Sequence, residues 1–381
     1  MDKLSENAGL VKPEDLKAED LKAEALKAEA LEAPAPDLLS MGEKGLGAEI
    51  EKLGFPRYRA GQIWRQMLAG TSDFSEMTDL PLAMRQTLAE RYVTGVPAIE
   101  RRLISKIDGT RKYLFRCADG ETIESALMEY RHGLTICVST QVGCNMACAF
   151  CASGIGGKRR DLTAGEILGQ VAAAQRDVGR RISGVVMMGI GEPLDNYDAV
   201  ISFLCEITSS ANEKYGLCIG ARHISLSTCG LCDKIERLAG ERYEITLSIS
   251  LHAADDETRR QLMPVAKRWS LDDLLSACRD YFDRTHRRIS FEYTLVPGRN
   301  DSPSDAGKLA ALLKRYMGTR PFHVNLIPVN AVEGRFAAGS RISAARFAAG
   351  LTRLGVNATV RRTLGPDINA SCGQLRRGAG E

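Results

Sequence analysis

The sequence lacks any long apolar run, and this absence limits the class of protein that it can encode. Across its 381 residues, no stretch approaches the roughly 18 apolar residues that a membrane-spanning helix needs. The N-terminus is charged and has no apolar segment of the kind found in secretory signals. We therefore expect a cytoplasmic protein that does not enter a membrane.

An even set of cysteines, which a disulfide framework would need, is also missing. The chain has 11 cysteines and no export signal, so clustered cysteines indicate metal ligands or reactive thiols. Hydrophobic residues make up 44% of the chain and charged residues 26%. These fractions are ordinary for a globular protein with a sizeable core.

The net charge of +3 is small but unevenly distributed. Residues 1–40 hold ten acidic and five basic side chains, which leaves a moderately basic body. Such a body fits a polyanionic partner without requiring one. The first 40 residues repeat a short unit, seen at Asp15–Glu19, whose leucines form no apolar stripe on a helix. We predict a low-complexity, disordered tail over residues 1–40.

Three segments with different patterns follow the tail. Residues 41–100 predict a small N-terminal helical accessory domain, and residues 101–132 predict a β-rich linker. From residue 133 to 377, apolar strands alternate with amphipathic helices, which predicts an α/β fold with a parallel sheet. The candidate strands are Leu134–Val138, Ile182–Met188, Ile224–Leu226, Ile245–Leu251, Ile289–Leu295, Val324–Val329 and Ala358–Val360. Their number suits a partial (βα)6 barrel, in which the chemistry lies at the carboxyl ends of the strands.

Three cysteines, Cys144, Cys148 and Cys151, lie within eight residues directly after the first of these strands. A structural zinc site would want a fourth ligand, usually from a second paired motif, and the sequence has none. Four thiolates normally hold a 4Fe-4S cluster, so three would leave one iron open to a further ligand. A zinc knuckle or three buried structural cysteines remain the alternatives from the residues alone.

The spacing of these cysteines, with Phe150 before the last one, resembles the signature of the radical-SAM superfamily. The resemblance implies that Cys144, Cys148 and Cys151 hold a 4Fe-4S cluster inside a radical-SAM barrel. S-adenosyl-L-methionine would then bind the open iron. One electron would split it into methionine and a 5′-deoxyadenosyl radical.

Polar residues at other strand ends suit this cofactor. Gly191 and Glu192 end the second strand, where glycine allows close backbone approach and a carboxylate can receive an ammonium group. The remaining candidates are Ser227, Ser250, Leu251, His252 and Asn330. Singly, each is more often a satisfied core or turn residue than a ligand. Together they match the cofactor-binding positions of the RlmN family.

The segment from Arg361 to Leu375 resembles the C-terminal motif of the RlmN and Cfr methylases. Their usual Asp-Ala-Ala-Cys-Gly-Gln-Leu is matched here except at Asn369 and Ser371, which spare Cys372. The resemblance to the RlmN family covers about residues 41–377. It implies that Cys137 is a second reactive cysteine and that Glu124 is a proton acceptor.

The family resemblance implies a reaction as well. Cys372 takes a methyl group from one S-adenosyl-L-methionine, a second molecule generates a radical, and the methylene formed on Cys372 adds to carbon 2 of adenine. Proton loss to Cys137 or Glu124 and attack of Cys137 on Cys372 release the product, so two cofactor molecules serve each turnover. The implied substrates are 23S rRNA at the peptidyl-transferase centre and tRNA beside the anticodon. We expect a monomer with an electron donor of unknown identity.

Arginine pairs could contact RNA backbone if they surround the mouth of the barrel. They occur at Arg159-Arg160, Arg180-Arg181, Arg259-Arg260, Arg287-Arg288, Arg361-Arg362 and Arg376-Arg377. The accessory domain, with Arg57, Arg59 and Arg65, is a further candidate for RNA binding. Three other functions stay open: a Cfr-like adenine carbon-8 methyltransferase, a radical-SAM enzyme of another reaction class, and a metal-stabilised RNA-binding module.

Overall fold

The computed structural model describes residues 35–241, 243–330, 336, 338–371 and 374. Within these residues the chain forms ten α-helices and twelve strands. The helices are α1 (Gly42–Lys52), α2 (Arg59–Leu68), α3 (Leu82–Arg91), α4 (Ala164–Val178), α5 (Tyr197–Thr208), α6 (Cys232–Leu238), α7 (Asp256–Leu262), α8 (Leu271–Thr285), α9 (Pro303–Met317) and α10 (Arg341–Arg353). None of them is both long and apolar enough to cross a bilayer.

The strands form one large sheet and one small hairpin. They are β1 (Ala98–Ile104), β2 (Arg111–Arg116), β3 (Thr122–Tyr130), β4 (Gly133–Cys137), β5 (Gln141–Val142), β6 (Arg160–Asp161), β7 (Ile182–Met187), β8 (Ile224–Thr228), β9 (Thr246–Ser250), β10 (Ile289–Leu295), β11 (Phe322–Pro328) and β12 (Ala358–Val360). The large sheet has the order β1-β2-β3-β4-β7-β8-β9-β10-β11-β12, and β5 pairs with β6.

Seven strands of the large sheet, from β4 through β7 to β12, pair in parallel. They coincide with the seven apolar runs of the sequence, and the predicted α/β partial barrel is confirmed. The longest crossover helices begin at strong sequence signals. Thr163 and Glu166 form a reciprocal capping box at the start of α4, and Ser270 and Asp273 form one at the start of α8.

Strands β1 to β3 extend this sheet instead of linking two domains. They run antiparallel to one another, and β3 pairs antiparallel with β4 through Ala126 and Cys137. The segment that the sequence suggested as a linker is therefore hydrogen-bonded to the barrel. A short antiparallel ribbon on its own is marginal in water. Here β4 pairs with the free edge of β3, and Tyr113, Phe115 and Ile123 bury one face of the ribbon in the core.

The helices of the accessory region share the core of the barrel. Trp64 of α2 is fully buried and donates from Nε1 to Asn212 Oδ1 at 2.9 Å, across 148 positions in the chain. Apolar residues of α1 to α3 belong to the same buried cluster as those of α4. The folded body also starts earlier than predicted, because Leu38 and Leu39 are buried and Asp37 bridges to Val93.

Candidate active site

The loop after β4 carries the three cysteines of the motif. The hairpin of β5 and β6 encloses Cys144, Cys148 and Cys151. Gly143 makes the entry turn with φ of +79°, and a Cβ atom there would lie 1.9 Å from the carbonyl oxygen of Gly157. Only glycine fits this position, so the hairpin can close around the cysteines.

Backbone bonds and one aromatic contact fix the cysteine loop to the barrel. Ala149 N–H donates to the carbonyl oxygen of Leu262, at the end of α7, at 2.9 Å. Phe150 packs edge-on against His252, with the ring centroids 4.7 Å apart. The loop therefore lies against the end of β9, the strand that leads into His252.

The cysteine thiols lie in an environment that disfavours free thiolates. Burial raises the pKa of Cys144 to about 12, although the Met146 N–H donates a hydrogen bond to its sulfur. Burial also raises the pKa of Cys148 well above its usual range, and the neighbouring thiols Cys151 and Cys144 add to the rise. Ionisation of such thiols needs a strong positive charge beside them, which a metal centre provides.

The three cysteines face one space, as the ligands of a four-iron cluster do. Among the described residues, no three His, Cys, Asp or Glu side chains converge on one point as ligands of a single ion would. A four-iron cluster takes each cysteine on a separate iron, so its ligands need only face one space. Cys144, Cys148 and Cys151 do line one cavity. Three thiols facing one space suit a 4Fe-4S cluster with one iron free of protein ligands.

This cavity, the cofactor cavity, also collects most of the predicted strand-end residues. It has a volume of about 930 Å³ and opens to solvent. The predicted residues that line it beside the cysteines are Gly191, Ser227, Ser250, His252 and Asn330. Parallel strands end at one edge of the sheet, so residues from four separate strand ends reach the same space.

Two of the predicted cofactor residues do not line the cavity. The Glu192 carboxylate accepts hydrogen bonds from the backbone N–H groups of Cys229 at 2.7 Å and Leu194 at 3.1 Å. Burial raises the pKa of Glu192, and these bonds act against the rise. The Leu251 side chain is fully buried in the core. Glu192 ties the ends of β7 and β8 together, and Leu251 can reach a ligand only through its backbone.

His252 is held in one orientation at the cavity wall. Its Nδ1 accepts a hydrogen bond from the Thr294 N–H at 2.8 Å, which leaves the ring proton on Nε2. Burial, helped by the positive charge of Arg259, lowers the pKa of His252 to about 3. The ring is therefore neutral near pH 7 and can donate one hydrogen bond into the cavity.

Strand β10 contributes residues to the site that were not among the candidates from the sequence. Glu292 and Thr294 both line the cofactor cavity. The Glu292 carboxylate is buried and accepts from Asn325 Nδ2 at 2.7 Å and Ser290 Oγ at 2.9 Å. Ser290, Glu292 and Thr294 alternate along the strand, so a polar face with a period of two residues was visible in the sequence.

The condition under which the arginine pairs could contact RNA, a place around the barrel mouth, is not met by Arg259. Its side chain is 0% exposed and donates to the carbonyl oxygens of Cys229 at 2.8 Å and Leu251 at 3.2 Å. Arg259 thus braces the strand ends that form the cavity wall. Arg160 and Arg180 instead form ion pairs, with Glu166 at 2.8 Å and with Glu129 at 2.7 Å.

A second cavity, the thiol cavity, adjoins the first. It has a volume of about 540 Å³, and Cys137, Arg362 and Ser371 are among the residues that line it. Both cavities share the walls formed by Met188, Ile327, Asn330 and Arg361. The Ser371 hydroxyl donates to the carbonyl oxygen of Leu364 at 2.8 Å, which holds the C-terminal segment at this place.

The three candidate catalytic residues differ in their placement. Cys137 is buried at the end of β4 and faces the thiol cavity. Cys372 lies outside the described residues, although its neighbour Ser371 lines the same cavity as Cys137. Glu124 does not line either cavity and forms an ion pair with Lys112 at 2.8 Å.

The chain is similar to known proteins in its barrel and in its N-terminal region. Residues 138–310 match the family model of the Radical SAM superfamily, and a solved radical SAM methyltransferase is 41% identical over 89% of this chain, so the chain is a radical-SAM enzyme. Residues 36–93 match the Ribosomal RNA large subunit methyltransferase N-terminal domain. The chain belongs to the RlmN family of radical-SAM RNA methyltransferases, because curated members are about half identical to it over most of its length.

Two relatives and one solved structure illustrate the match. The probable dual-specificity RNA methyltransferase RlmN of Clostridium botulinum (strain Eklund 17B / Type B) is 50% identical over 84% of this chain and 90% of its own. The protein of the same description from Alkaliphilus oremlandii is 49% identical over 90% of this chain and 97% of its own. A radical SAM methyltransferase from Sphaerobacter thermophilus superposes with a TM-score of 0.82 at 41% identity, over 89% of this chain and 99% of that one.

Proposed function

We propose that this protein methylates carbon 2 of an adenine through an S-methylcysteine intermediate on Cys372. Its substrates are 23S rRNA at the peptidyl-transferase centre and the anticodon-adjacent adenosine of tRNA. The observation that carries the proposal is the pair of adjoining cavities. One has the three cluster cysteines in its wall, and the other has Cys137 and the segment leading to Cys372.

The cofactor cavity serves the cluster and S-adenosyl-L-methionine. A 4Fe-4S cluster on Cys144, Cys148 and Cys151, when bound, supplies the electron that cleaves the cofactor. Ser227, Ser250 and His252 offer hydrogen bonds to its polar groups, and Gly191 admits its amino-acid end close to the backbone.

The chain's own residues account for the choice of a thiol carrier. Carbon 2 of adenine lies between two ring nitrogens and is too electron-poor to attack a methyl sulfonium. The Cys372 thiolate attacks instead, and its sulfur–methyl bond forms as the sulfonium–methyl bond breaks. A second S-adenosyl-L-methionine is needed to activate that methyl group, so two molecules serve each turnover.

Release of the product needs the second thiol. Once the carbon of the Cys372 methyl group is bonded to the base, the protein is joined covalently to RNA. Glu124 accepts the proton lost from carbon 2, and the adduct, still a radical, gives up one electron to the oxidised form of the electron donor. The Cys137 thiolate then bonds to the Cys372 sulfur as the carbon–sulfur bond breaks, and the electron pair of that bond stays on the former methyl carbon, which takes a proton to complete the new methyl group. The resulting disulfide must be reduced before the next turnover, which suits a cytoplasmic protein.

Two features support RNA as the substrate. The relatives carry the description dual-specificity RNA methyltransferase, which fits both ribosomal RNA and tRNA. Arg361 and Arg362 line the thiol cavity, where they can meet the phosphates that flank a nucleotide inserted into it. The target adenosine must leave its stack to enter, as in other enzymes that act on a base.

A reconstituted assay tests the proposed function. The anaerobically prepared enzyme is given reductant, transcribed rRNA or tRNA, and S-adenosyl-L-methionine with an isotopically labelled methyl group, and the digested RNA is analysed by mass spectrometry. We expect labelled 2-methyladenosine, none with Cys372→Ala, and full activity with Cys205→Ala, a change at an exposed cysteine. Formation of 8-methyladenosine alone, or turnover by Cys372→Ala, would contradict the proposal.

A further inference from the structure

A buried ion pair lies on the sheet beside the thiol cavity. Lys112 Nζ is 2.8 Å from Glu124 Oε1, and the two side chains are only 8% and 2% exposed. Removing two charges from water costs so much that an apolar pair of similar volume is often equally stable. Stability alone therefore gives no reason for this pair.

The sheet register brings the ion pair to the thiol. Lys112 of β2 lies directly across from Ala126 of β3, and Ala126 lies directly across from Cys137 of β4. These three residues form one row across adjacent strands, so their side chains project from the same face. Glu124 is two positions from Ala126 and shares that face, because side chains alternate along a strand.

Neighbouring contacts support this assignment of faces. Ala126, Met128 and Cys137 belong to one buried cluster with Leu364 and Ala370 of the C-terminal segment. Ser125 points to the opposite face, where its hydroxyl donates to Gln170 of α4 at 2.6 Å. Glu124 and Lys112 therefore lie on the cavity side of the sheet.

The backbone fixes Glu124 just beyond the end of β4. Its carbonyl oxygen accepts a hydrogen bond from Ser139 Oγ at 2.6 Å, and Ser139 is two residues past Cys137. Ala126 stands between Lys112 and Cys137 in this row. Because its side chain is a single methyl group, the longer Lys112 side chain has room to extend over it toward Cys137. The pair thus flanks the thiol that the proposed reaction uses.

We propose that Lys112 is a positioning residue that holds Glu124 as an oriented carboxylate beside Cys137, ready to take the proton from the RNA base. This inference rests on the proposed function. A carboxyl group shielded from water favours its neutral form, and an ammonium group in contact with it favours the charged form. Only the charged form can accept a proton.

The step assigned to the pair is a single proton transfer. The carbon–hydrogen bond at the methylated carbon of the base breaks, its electron pair stays on the base, and the proton binds a Glu124 oxygen. Lys112 neither gives nor takes a proton in this step. The step involves no change in oxidation state, and it follows both the methylation of Cys372 and the joining of protein to RNA.

Separate readouts of these stages test the inference. The full-length enzyme is compared with Lys112→Met for methylation of Cys372, for covalent protein–RNA adduct on denaturing gels, and for released 2-methyladenosine. We expect unchanged Cys372 methylation, accumulated adduct, and product release slowed by about 100-fold, the lower range for loss of an acid–base group. Lys112→Arg keeps the charge and is expected to restore at least part of the rate.

A double-mutant cycle separates positioning from a general loss of structure. The variant Lys112→Met with Glu124→Gln contains no unpaired buried charge, so it remains informative where Lys112→Met alone folds poorly. If Lys112 acts through Glu124, the double variant releases product within about twofold of Glu124→Gln alone. Lys308→Met removes an exposed lysine near Asp305, 3.9 Å away, and is expected to match the parent enzyme.

The outcomes against the inference are distinct from those against the function. Equal product release by Lys112→Met and the parent overturns the inference, and so does a double variant that multiplies the two single losses. Loss of Cys372 methylation in step with product would assign Lys112 a purely structural role and also overturn it. A parent enzyme that makes no 2-methyladenosine defeats the proposed function itself.

Discussion

At the scale of single residues, the shape of the cofactor cavity depends on two glycines, which have no side chain. Gly189 and Gly191 follow β7, and a Cβ atom on either would lie 2.6 to 2.7 Å from the chain that leaves β4. The two loops can therefore approach only as bare backbone. Close approach keeps the cysteine loop and the wall of the cofactor cavity in contact.

Substitution of Gly191 tests this requirement. Gly191 has φ of +109°, and an added Cβ would meet Gln141, whereas Gly298 has φ of +71° with nothing within 4 Å. We expect Gly298→Ala to cost about 1 kcal/mol from backbone strain and Gly191→Ala about 2 kcal/mol more from the added clash. Denaturant unfolding measures both, and equal losses would show that the clash is relieved without cost.

The site residues that could be predicted from the sequence belong to a local motif, whereas the others depend on tertiary packing. Cys144, Cys148 and Cys151 carry a local signature, so spacing alone identifies them. Arg259 and Arg260 are adjacent in the sequence, yet one is fully buried and the other exposed. Which of the two arginines is buried depends on where α7 begins and on how it packs against β8 and β9. The local sequence pattern does not show either of these.

At the scale of elements, the turn between β1 and β2 fastens the C-terminal segment. Asp108 accepts a hydrogen bond from the Gly365 N–H at 2.9 Å. In return Asp367 accepts from Ser105 Oγ at 2.7 Å and from the Lys106 N–H at 3.0 Å. Two carboxylates in reciprocal contacts thus hold the residues that lead to Cys372.

We expect loss of this contact to weaken the delivery of Cys372. Asp108→Ala leaves the Gly365 N–H without its charged acceptor, which is worth about 1.5 kcal/mol and corresponds to about tenfold in the population of the docked segment. Mass spectrometry of Cys372 should then show S-methylation slowed by about tenfold. Ile107→Ala changes an exposed side chain in the same turn and is the matched control; an equal loss there would disprove the assignment.

Strands β1 to β3 could be predicted from the sequence as strands, but their pairing with the barrel sheet could not. Their alternation predicts strands, and the structure has strands there. Strand β3 pairs with β4, the next strand along the chain, from Tyr130 and Gly133 onward. Alternation predicts each strand, but it does not show whether two consecutive strands pair or belong to separate units. The parallel strands β4 and β7 to β12 were easier to place because helices separate them along the chain, and that order restricts the topology.

At the scale of the whole molecule, the accessory helices and the barrel are expected to unfold together. Trp64 and Asn212 join α2 to the segment after α5 through a fully buried hydrogen bond. Apolar residues on both sides belong to one cluster. A shared core of this kind couples the two regions energetically, as within a single cooperative unit.

Calorimetry of an Asn212→Ala variant tests that coupling. The change removes the acceptor of the buried Trp64 N–H and should cost about 2 kcal/mol. We expect a single transition in the parent and in the variant, with the variant's Tm lower by several degrees. Ser210→Ala, at an exposed neighbouring position, should leave the Tm unchanged. Two separated transitions in the variant would show that the regions are independent.

The sheet never becomes a closed ring: within the described chain β1 and β12 are its two ends, and β12 has only three residues. The parallel part of the sheet ends at β4 and β12, and the thiol cavity takes Cys137 from the first of these strands and Arg361 from the residue after the second. On the proposed function, a nucleotide that enters between these two strands leaves every interstrand hydrogen bond intact. The free-energy cost of entry then lies in unstacking the nucleotide from the RNA. No strand of the sheet has to separate from its neighbour.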